Sequence, residues 1–356
     1  MPSRTPLYAA QAAAGGKMID FAGWDMAVQF AGIQAEHIAV RTAAGAFDVS
    51  HMGRLHLSGP GALAFLSRRV CRGLADMRAG QVRYGMVLAE DGTVEDDVLV
   101  SREGDQQFHV VVNAGNREKI LGLWRPALDG TVSLRDLSAE QAMIAVQGPK
   151  APAILAGLGL DPSLLANYAF RDAVWDGTPV RVSRTGYTGE DGAEVFLPAE
   201  RAADLWRALL AAGVAPCGLG CRDTLRLEAA MPLYGHELDR TVTPVQAGLT
   251  FAINKAGGFI GEDRILTELR DGPAKRLVGL RMLSKRVPRQ GYAVLHGGTA
   301  VGVITSGTLS PTLGEAIGLA YVPAALAQAG TTVSVDLRGQ AVDAVLVAMP
   351  FYRRTR

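Results

Sequence analysis

The sequence predicts an α+β protein that ends in a small β-barrel. Three observations carry this. Strand-like and helix-like segments are mixed over residues 1–270 without the regular β-α-β alternation of a doubly wound sheet. After the run Arg270-Asp271-Gly272-Pro273 the chain becomes strand-rich, with short strands separated by Gly and Pro turns, as in a barrel or jelly roll. No phosphate-loop or dinucleotide glycine fingerprint follows any strand.

In chain order, 62–69 follows the breakers Ser58-Gly59-Pro60-Gly61 and reads as a helix. Residues 81–116 read as an antiparallel meander. Strand 81–89 turns at Asp91-Gly92 into 94–100, and Glu103-Gly104-Asp105 turns again into 108–112. Val180 and Val182 lead into the loop 183–194, and Val195 and Leu197 leave it. Ala202, Leu205, Trp206 and Leu209 have helical spacing, closed by Gly213. Another helix starts near Leu219-Gly220 and runs through Leu227. Beyond 273 come strands at 277–280, 292–295, 301–305, 316–322, 332–337 and 342–348. The domain division expected is therefore 1–272 and 273–356.

The net charge of +1, with acids and bases interspersed, leaves no basic face for nucleic acid. No apolar stretch approaches the ~20 residues of a membrane span. The N-terminus has no signal-peptide core, so the chain reads as cytoplasmic. Arg353, Arg354 and Arg356 form a basic tail, read as a solvated end. Three cysteines, Cys71, Cys217 and Cys221, fit a reducing compartment. Cys217 and Cys221 are one helical turn apart, but no further metal ligand is evident beside them.

The most informative stretch is Ser183-Arg-Thr-Gly-Tyr-Thr-Gly-Glu-Asp-Gly-Ala-Glu194. Gly186, Gly189 and Gly192 let the backbone turn sharply and come close to something. Glu194 falls where an apolar strand begins, so its carboxylate needs a partner, from protein or ligand. Glu95, Asp96 and Asp97 lie inside a strand pattern, with Asp96 and Asp97 on opposite faces. The structural alternative is an edge strand whose charges block aggregation. Arg222 falls in the first turn of a helix, where a cation is disfavoured. Either Asp223 offsets it, or it answers an acceptor-rich ligand. His51 is a candidate base, although a lone histidine is more often a packed or surface residue. Met52 is more often core filling than the wall of a ring site.

Together these pieces resemble the T-protein of the glycine cleavage system, an aminomethyltransferase family. The resemblance runs through Arg4-Thr-Pro-Leu-Tyr8, Phe21-Ala-Gly-Trp-Asp-Met26 and Val40 to Gly53. It continues through Asp96-Asp97, Val112-Asn-Ala-Gly-Asn116, Gln147-Gly-Pro-Lys150, Arg184 to Glu194, Gly218 to Glu228 and Pro232 to Leu238. It closes with Thr305 to Gly314 and Pro350-Phe-Tyr352. The chain departs from the family pattern at Cys71-Arg72-Gly73, Glu95, Gln246, Phe251 and Gly258.

The resemblance implies a three-domain cloverleaf: two interleaved α+β units, one ferredoxin-like, and a C-terminal jelly-roll-like barrel. It implies transfer of the one-carbon unit of S-aminomethyl-dihydrolipoyl H-protein to tetrahydrofolate. The products are 5,10-methylene-tetrahydrofolate, ammonia and dihydrolipoyl H-protein, and no metal is called for. By resemblance Asp97 is the catalytic carboxylate. Glu194 reads the pterin edge, and Arg222, Tyr187, Tyr84, Tyr352 and Met52 are further folate-contact positions. Two alternatives share the fold. One is a folate-dependent demethylase of a small methylated amine or sulfonium compound, whose oxidase relatives carry a flavin domain this chain has no room for. The other is a non-enzymatic folate-binding iron–sulfur maintenance protein, marked by a Lys-Gly-Cys signature that does not occur here.

Overall fold

The computed structural model describes residues 1–354. Arg356 of the expected basic tail lies outside them. The chain forms two compact units built from interleaved segments. The first comprises Met1–Arg68, Gly73–Gly85 and Val98–Arg222, and the second Arg69–Arg72, Met86–Asp97 and Asp223–Arg356. The chain passes between units inside the strands Val82–Leu88 and Val94–Gly104 and inside the helix Leu219–Glu228.

The first unit is organised on a six-stranded sheet. Its order is Phe170–Trp175, Thr178–Ser183, Gly192–Pro198, Gln141–Gln147, Gly45–Asp48 and Ala215–Pro216. The sequence explains which face is buried. Side chains alternate along a strand, so Ala193, Val195 and Leu197 join Ala142, Ile144, Val146, Val180 and Val182 on one side. The helices Ala151–Gly157 and Ala202–Ala211 cover that side, with Leu205, Trp206 and Leu209 at the helical spacing the sequence shows. Each such buried apolar side chain contributes about 1.5–3 kcal/mol. Glu194 and Phe196 therefore face the other way. A register row crosses that second face from Ser183 through Glu194 and Ala145 to Phe47.

A five-stranded sheet has the order Val82–Leu88, Val94–Gly104, Gln107–Val112, Gly53–Ser58 and Ser133–Asp136. The expected meander is present, turning at Gly92 with a positive φ of 75°. Its middle strand, which carries Asp96 and Asp97, has a neighbour on each side. That removes the edge-strand reading of the acid run. A three-stranded sheet of Ser3–Arg4, Trp24–Gln29 and Lys17–Phe21 lies in the N-terminal segment.

In the second unit, Lys275–Met282, Ala316–Pro323, Thr299–Leu309, Ala293–His296, Thr332–Asp336 and Ala341–Val347 close into a barrel. All six of its ladders are antiparallel. Alternate residues fill the interior: Val278, Leu280 and Met282 on one strand, Ala320 and Val322, Val333 and Val335, and Ala344 and Leu346 on others. Closure leaves no sheet edge to protect. Each of the six strands expected beyond residue 273 is present.

Candidate functional site

Glu194 is 4% exposed, on the strand Gly192–Pro198. Its Oε2 accepts a hydrogen bond from Thr185 Oγ1 at 2.5 Å, and Thr185 Oγ1 lies 3.0 Å from Ser183 Oγ. Burial pushes the carboxyl above its ordinary range, while Thr185 and then the Arg222 charge pull it back. A protein partner thus exists for the carboxylate, but a single short one.

Arg222 lies in the first turn of Leu219–Glu228, as its sequence context predicts. Asp223 does not offset it by an ion pair, because its Oδ1 takes the Nε of Arg226 at 2.8 Å. The Arg222 guanidinium sits over the Tyr187 ring, 4.8 Å from the centroid, a cation–π contact. Its Nη1 is buried and makes no hydrogen bond. Burial lowers its basicity, and the charge of Glu194 is the first influence restoring it. Within the first unit, Glu194, Arg222 and Tyr187 thus form one electrostatically connected cluster.

His51 belongs to the same neighbourhood. It is 4% exposed, packs edge-on against Phe21 at 5.8 Å, and its Nδ1 has no hydrogen-bond partner. Burial, then Arg222, then Arg54 push its pKa down to about 3. A base that weak stays neutral at physiological pH. Met52 is half-buried in the same turn, its N–H donating to Val49 at 3.1 Å.

The loop glycines have a different job from the one their spacing suggests. A Cβ on Gly186 would stand 2.0 Å from Gln147 Oε1, and one on Gly192 would stand 2.1 Å from the Val146 carbonyl. The close approach is to the loop's own support. Gln147 Nε2 donates to the Thr185 carbonyl at 3.1 Å, and its Oε1 accepts from Thr188 Oγ1 at 3.0 Å. The loop's other charges are pins. Arg41 Nη1 meets Glu190 Oε1 at 2.9 Å and the Thr188 carbonyl at 2.7 Å. Arg184 clasps Asp191 with two bonds of 3.1 and 2.7 Å. Two-pronged pairs of this kind fix geometry as well as charge.

Tyr84 is half-buried on Val82–Leu88, in the first unit. Asp97 and Tyr352 belong to the second unit. Asp97 is half-buried between buried Asp96 and Val98. Tyr352 is half-buried and its N–H donates to the Glu228 carbonyl at 2.8 Å. Glu228 is itself buried and accepts from Thr312 Oγ1 at 2.8 Å and Ser310 Oγ at 2.5 Å.

Two residues escape the sequence reading. Tyr168 is 46% exposed, has the left-handed φ of 58°, and lies within electrostatic range of Glu194. A bulky residue in that region is strained and such strain gathers at functional sites, but nothing local in the sequence announces it. Glu36 is the second. Its ligand atom lies within 4.8 Å of those of Cys217 and Cys221, so the pair does have a third polar neighbour. That carboxylate already accepts from Phe30 N–H at 2.6 Å, Gly32 N–H at 3.0 Å and Gly218 N–H at 2.8 Å. Burial drives the Cys221 thiol up. The cluster ties the 30–32 turn to the start of the helix.

A family model described as the GCVT N-terminal domain matches residues 7–257, and one described as the glycine cleavage T-protein C-terminal barrel domain matches residues 275–353. An aminomethyltransferase of Geobacillus kaustophilus is 47% identical, over 100% of both chains. One of Bacillus subtilis is 44% identical, over 99% of this chain and 100% of its own. The crystal structure of the glycine cleavage system aminomethyltransferase T from Bartonella henselae matches with a TM-score of 0.94 at 33% identity, covering 100% of both chains.

Proposed function

Because the chain belongs to the glycine cleavage T-protein family and is an aminomethyltransferase, we propose that its Glu194–Arg222–Tyr187 cluster holds the pterin of tetrahydrofolate. The activity moves the one-carbon unit of aminomethylated dihydrolipoyl H-protein to tetrahydrofolate and frees ammonia. H-protein is accordingly the macromolecular partner we assign, and the cytoplasm the compartment. Residues 273–356 are read as the barrel domain and 1–272 as the folate-binding region.

The observation carrying the assignment is a buried carboxylate, Glu194, within electrostatic range of the half-buried Arg222, whose Nη1 is buried and lacks a hydrogen-bond partner. A pterin edge presents an amino group and a ring N–H side by side, which a carboxylate accepts in two parallel bonds. It also presents acceptors, which suit the Arg222 N–H groups. Burial holds the Glu194 carboxyl above its ordinary range, and Thr185 and then Arg222 pull it back toward the ionised form that such binding needs. Tyr187 serves first as the platform on which Arg222 rests. Met52 and Tyr84 are half-buried apolar and aromatic side chains of the first unit, and Tyr352 of the second unit is assigned a folate contact by the family resemblance. Tetrahydrofolate, when bound, supplies the amine that accepts the one-carbon unit.

Asp97 is assigned the chemical role. A fixed carboxylate can orient an amine and stabilise positive charge developing at carbon. It can also hold a proton in transit. The test mixes the purified chain with tetrahydrofolate and aminomethylated H-protein and measures ammonia. Turnover well above the spontaneous rate is expected. Asp97→Asn should retain tetrahydrofolate affinity and lose about a hundredfold or more in kcat, as electrostatic groups at reacting centres do. Full activity in that variant would remove Asp97 from the chemistry, and no ammonia from the wild type would overturn the whole reading.

A further inference from the structure

We propose that Arg54 is a positioning residue of this site: its buried guanidinium clamps the 50–52 turn and thereby sets where His51 and Met52 stand. The proposal rests on the folate reading of Glu194 and Arg222 and deepens it.

Arg54 is 0% exposed, on the strand Gly53–Ser58. Its head group donates to four main-chain carbonyls. Nη1 reaches Ser50 at 3.0 Å and Met52 at 2.5 Å, and Nη2 reaches Ser138 at 2.5 Å and Gln141 at 2.9 Å. Its own N–H is held by Ser138 Oγ at 2.9 Å. A buried cation is expensive, by several kcal/mol even after relaxation. Here carbonyl dipoles offset it, and its pKa is pushed down to about 10, chiefly by burial. A charge kept at such cost needs a return. The return is a planar fork that joins two stretches of chain which share no ladder at that point.

One of those stretches is the turn that carries His51 and Met52. Its far end is anchored separately. Ser50 N–H donates to Asp48 at 2.9 Å, and Ser50 Oγ accepts from Met143 N–H at 3.0 Å. Arg54 supplies the anchor on the near side, at the carbonyls of Ser50 and Met52. Without it those carbonyls lose this donor, and the turn keeps only its anchors at Ser50 and from the Met52 N–H to Val49. Burial first, and then the charges of Arg222 and Arg54, keep the His51 ring uncharged, which makes it a packing surface within reach of the Arg222 field. Lysine is a poor replacement, because a point ammonium cannot span both pairs of carbonyls.

The test compares Arg54→Lys with Leu346→Ala, a cavity variant in the barrel that lowers stability without touching this turn. Tetrahydrofolate affinity and KM are measured together with thermal midpoints and the ε-methyl NMR resonance of Met52 in methyl-labelled protein. Arg54→Lys is expected to weaken tetrahydrofolate binding about tenfold to a hundredfold, as an ångström-scale misplacement does, with kcat changed much less. It should also displace the Met52 resonance, whereas Leu346→Ala should do neither. Arg54→Lys with wild-type affinity and an unmoved Met52 resonance would overturn the proposal. If the wild type itself fails to bind tetrahydrofolate, the folate reading falls. The Met52 resonance then still decides the clamp, supporting it if displaced and refuting it if not.

Discussion

Glu194 combines two requirements at one atom pair: a strand position that buries it and a single strong protein donor, Thr185. An acid in that state is held ready rather than used up, since a carboxylate has about four acceptor sites. Replacement by alanine removes the pterin's two acceptors at once. A charge-assisted hydrogen bond contributes about 1.5–3 kcal/mol, so Glu194→Ala should raise the tetrahydrofolate dissociation constant at least tenfold to a hundredfold. Calorimetric titration measures this directly. Unchanged affinity would leave Glu194 a structural partner of Thr185 and nothing more. The residue's identity was visible in the sequence because a carboxylate opening an apolar strand is costly and conspicuous. The roles of Arg54 and Tyr168 were not. Four carbonyls gathered from residues 50, 52, 138 and 141, and a left-handed φ, leave no local mark in composition or periodicity.

At the scale of elements, the loop between Thr178–Ser183 and Gly192–Pro198 is a braced arch. Gln147 supports it from below, and Arg41 and Arg184 tether its sides. Gly186→Ala would drive a methyl into the Gln147 amide. We expect a stability loss of about 1–3 kcal/mol, as for overpacked interiors, together with weaker tetrahydrofolate binding because Tyr187 and Glu194 flank the displaced segment. Differential scanning calorimetry and a binding titration check both; a variant that matches wild type in each would show that Gln147 yields freely. The barrel strands were legible because period-two apolar patterns between Gly and Pro turns are a strong signal. The helices Ile33–Thr42, Arg117–Trp124 and Glu262–Asp271 received no assignment from the sequence. Glu262–Asp271 buries only Ile265. Ile33–Thr42 buries Glu36 and His37 with Val40, so its inward face is not apolar. Pattern reading fails where a helix turns polar groups inward to specific partners.

At the scale of the whole molecule, the titrating groups with large shifts are unevenly distributed. His51 is held to about 3 and His109 to about 4, in both cases chiefly by burial. A base whose folded pKa is depressed contributes stability above its unfolded value, near 6.5, and loses it as pH falls toward the folded value. Glu103, lowered to about 2 by His56 and Arg181 against its burial, adds a second loss below about 4.5. Glu194 and Asp48 are raised, so they act in the opposite sense and gain stability as pH falls through their folded values. The histidine contribution to the thermal midpoint should fall as pH drops below about 6.5, and His109→Gln should show a shallower slope there than the wild type. All these groups lie in the first unit. Hydrogen exchange at pH 5 should accelerate in 98–222 before it does in the barrel strands. Equal acceleration in both would contradict the assignment.

The interleaving of segments also dictates a schedule for the ribosome. The first unit has all its residues once Arg222 has emerged, while 69–72 and 86–97, already made, belong to the second unit, which also needs residues 223–356, translated later. At about 5–20 residues per second the remainder takes on the order of ten seconds. During that interval the Asp96–Asp97 segment exists without the rest of its unit. The proposed catalytic carboxylate is thus among the early products of synthesis and among the last residues to acquire their surroundings, so the nascent chain carries the loop of Glu194 well before it can carry out any transfer.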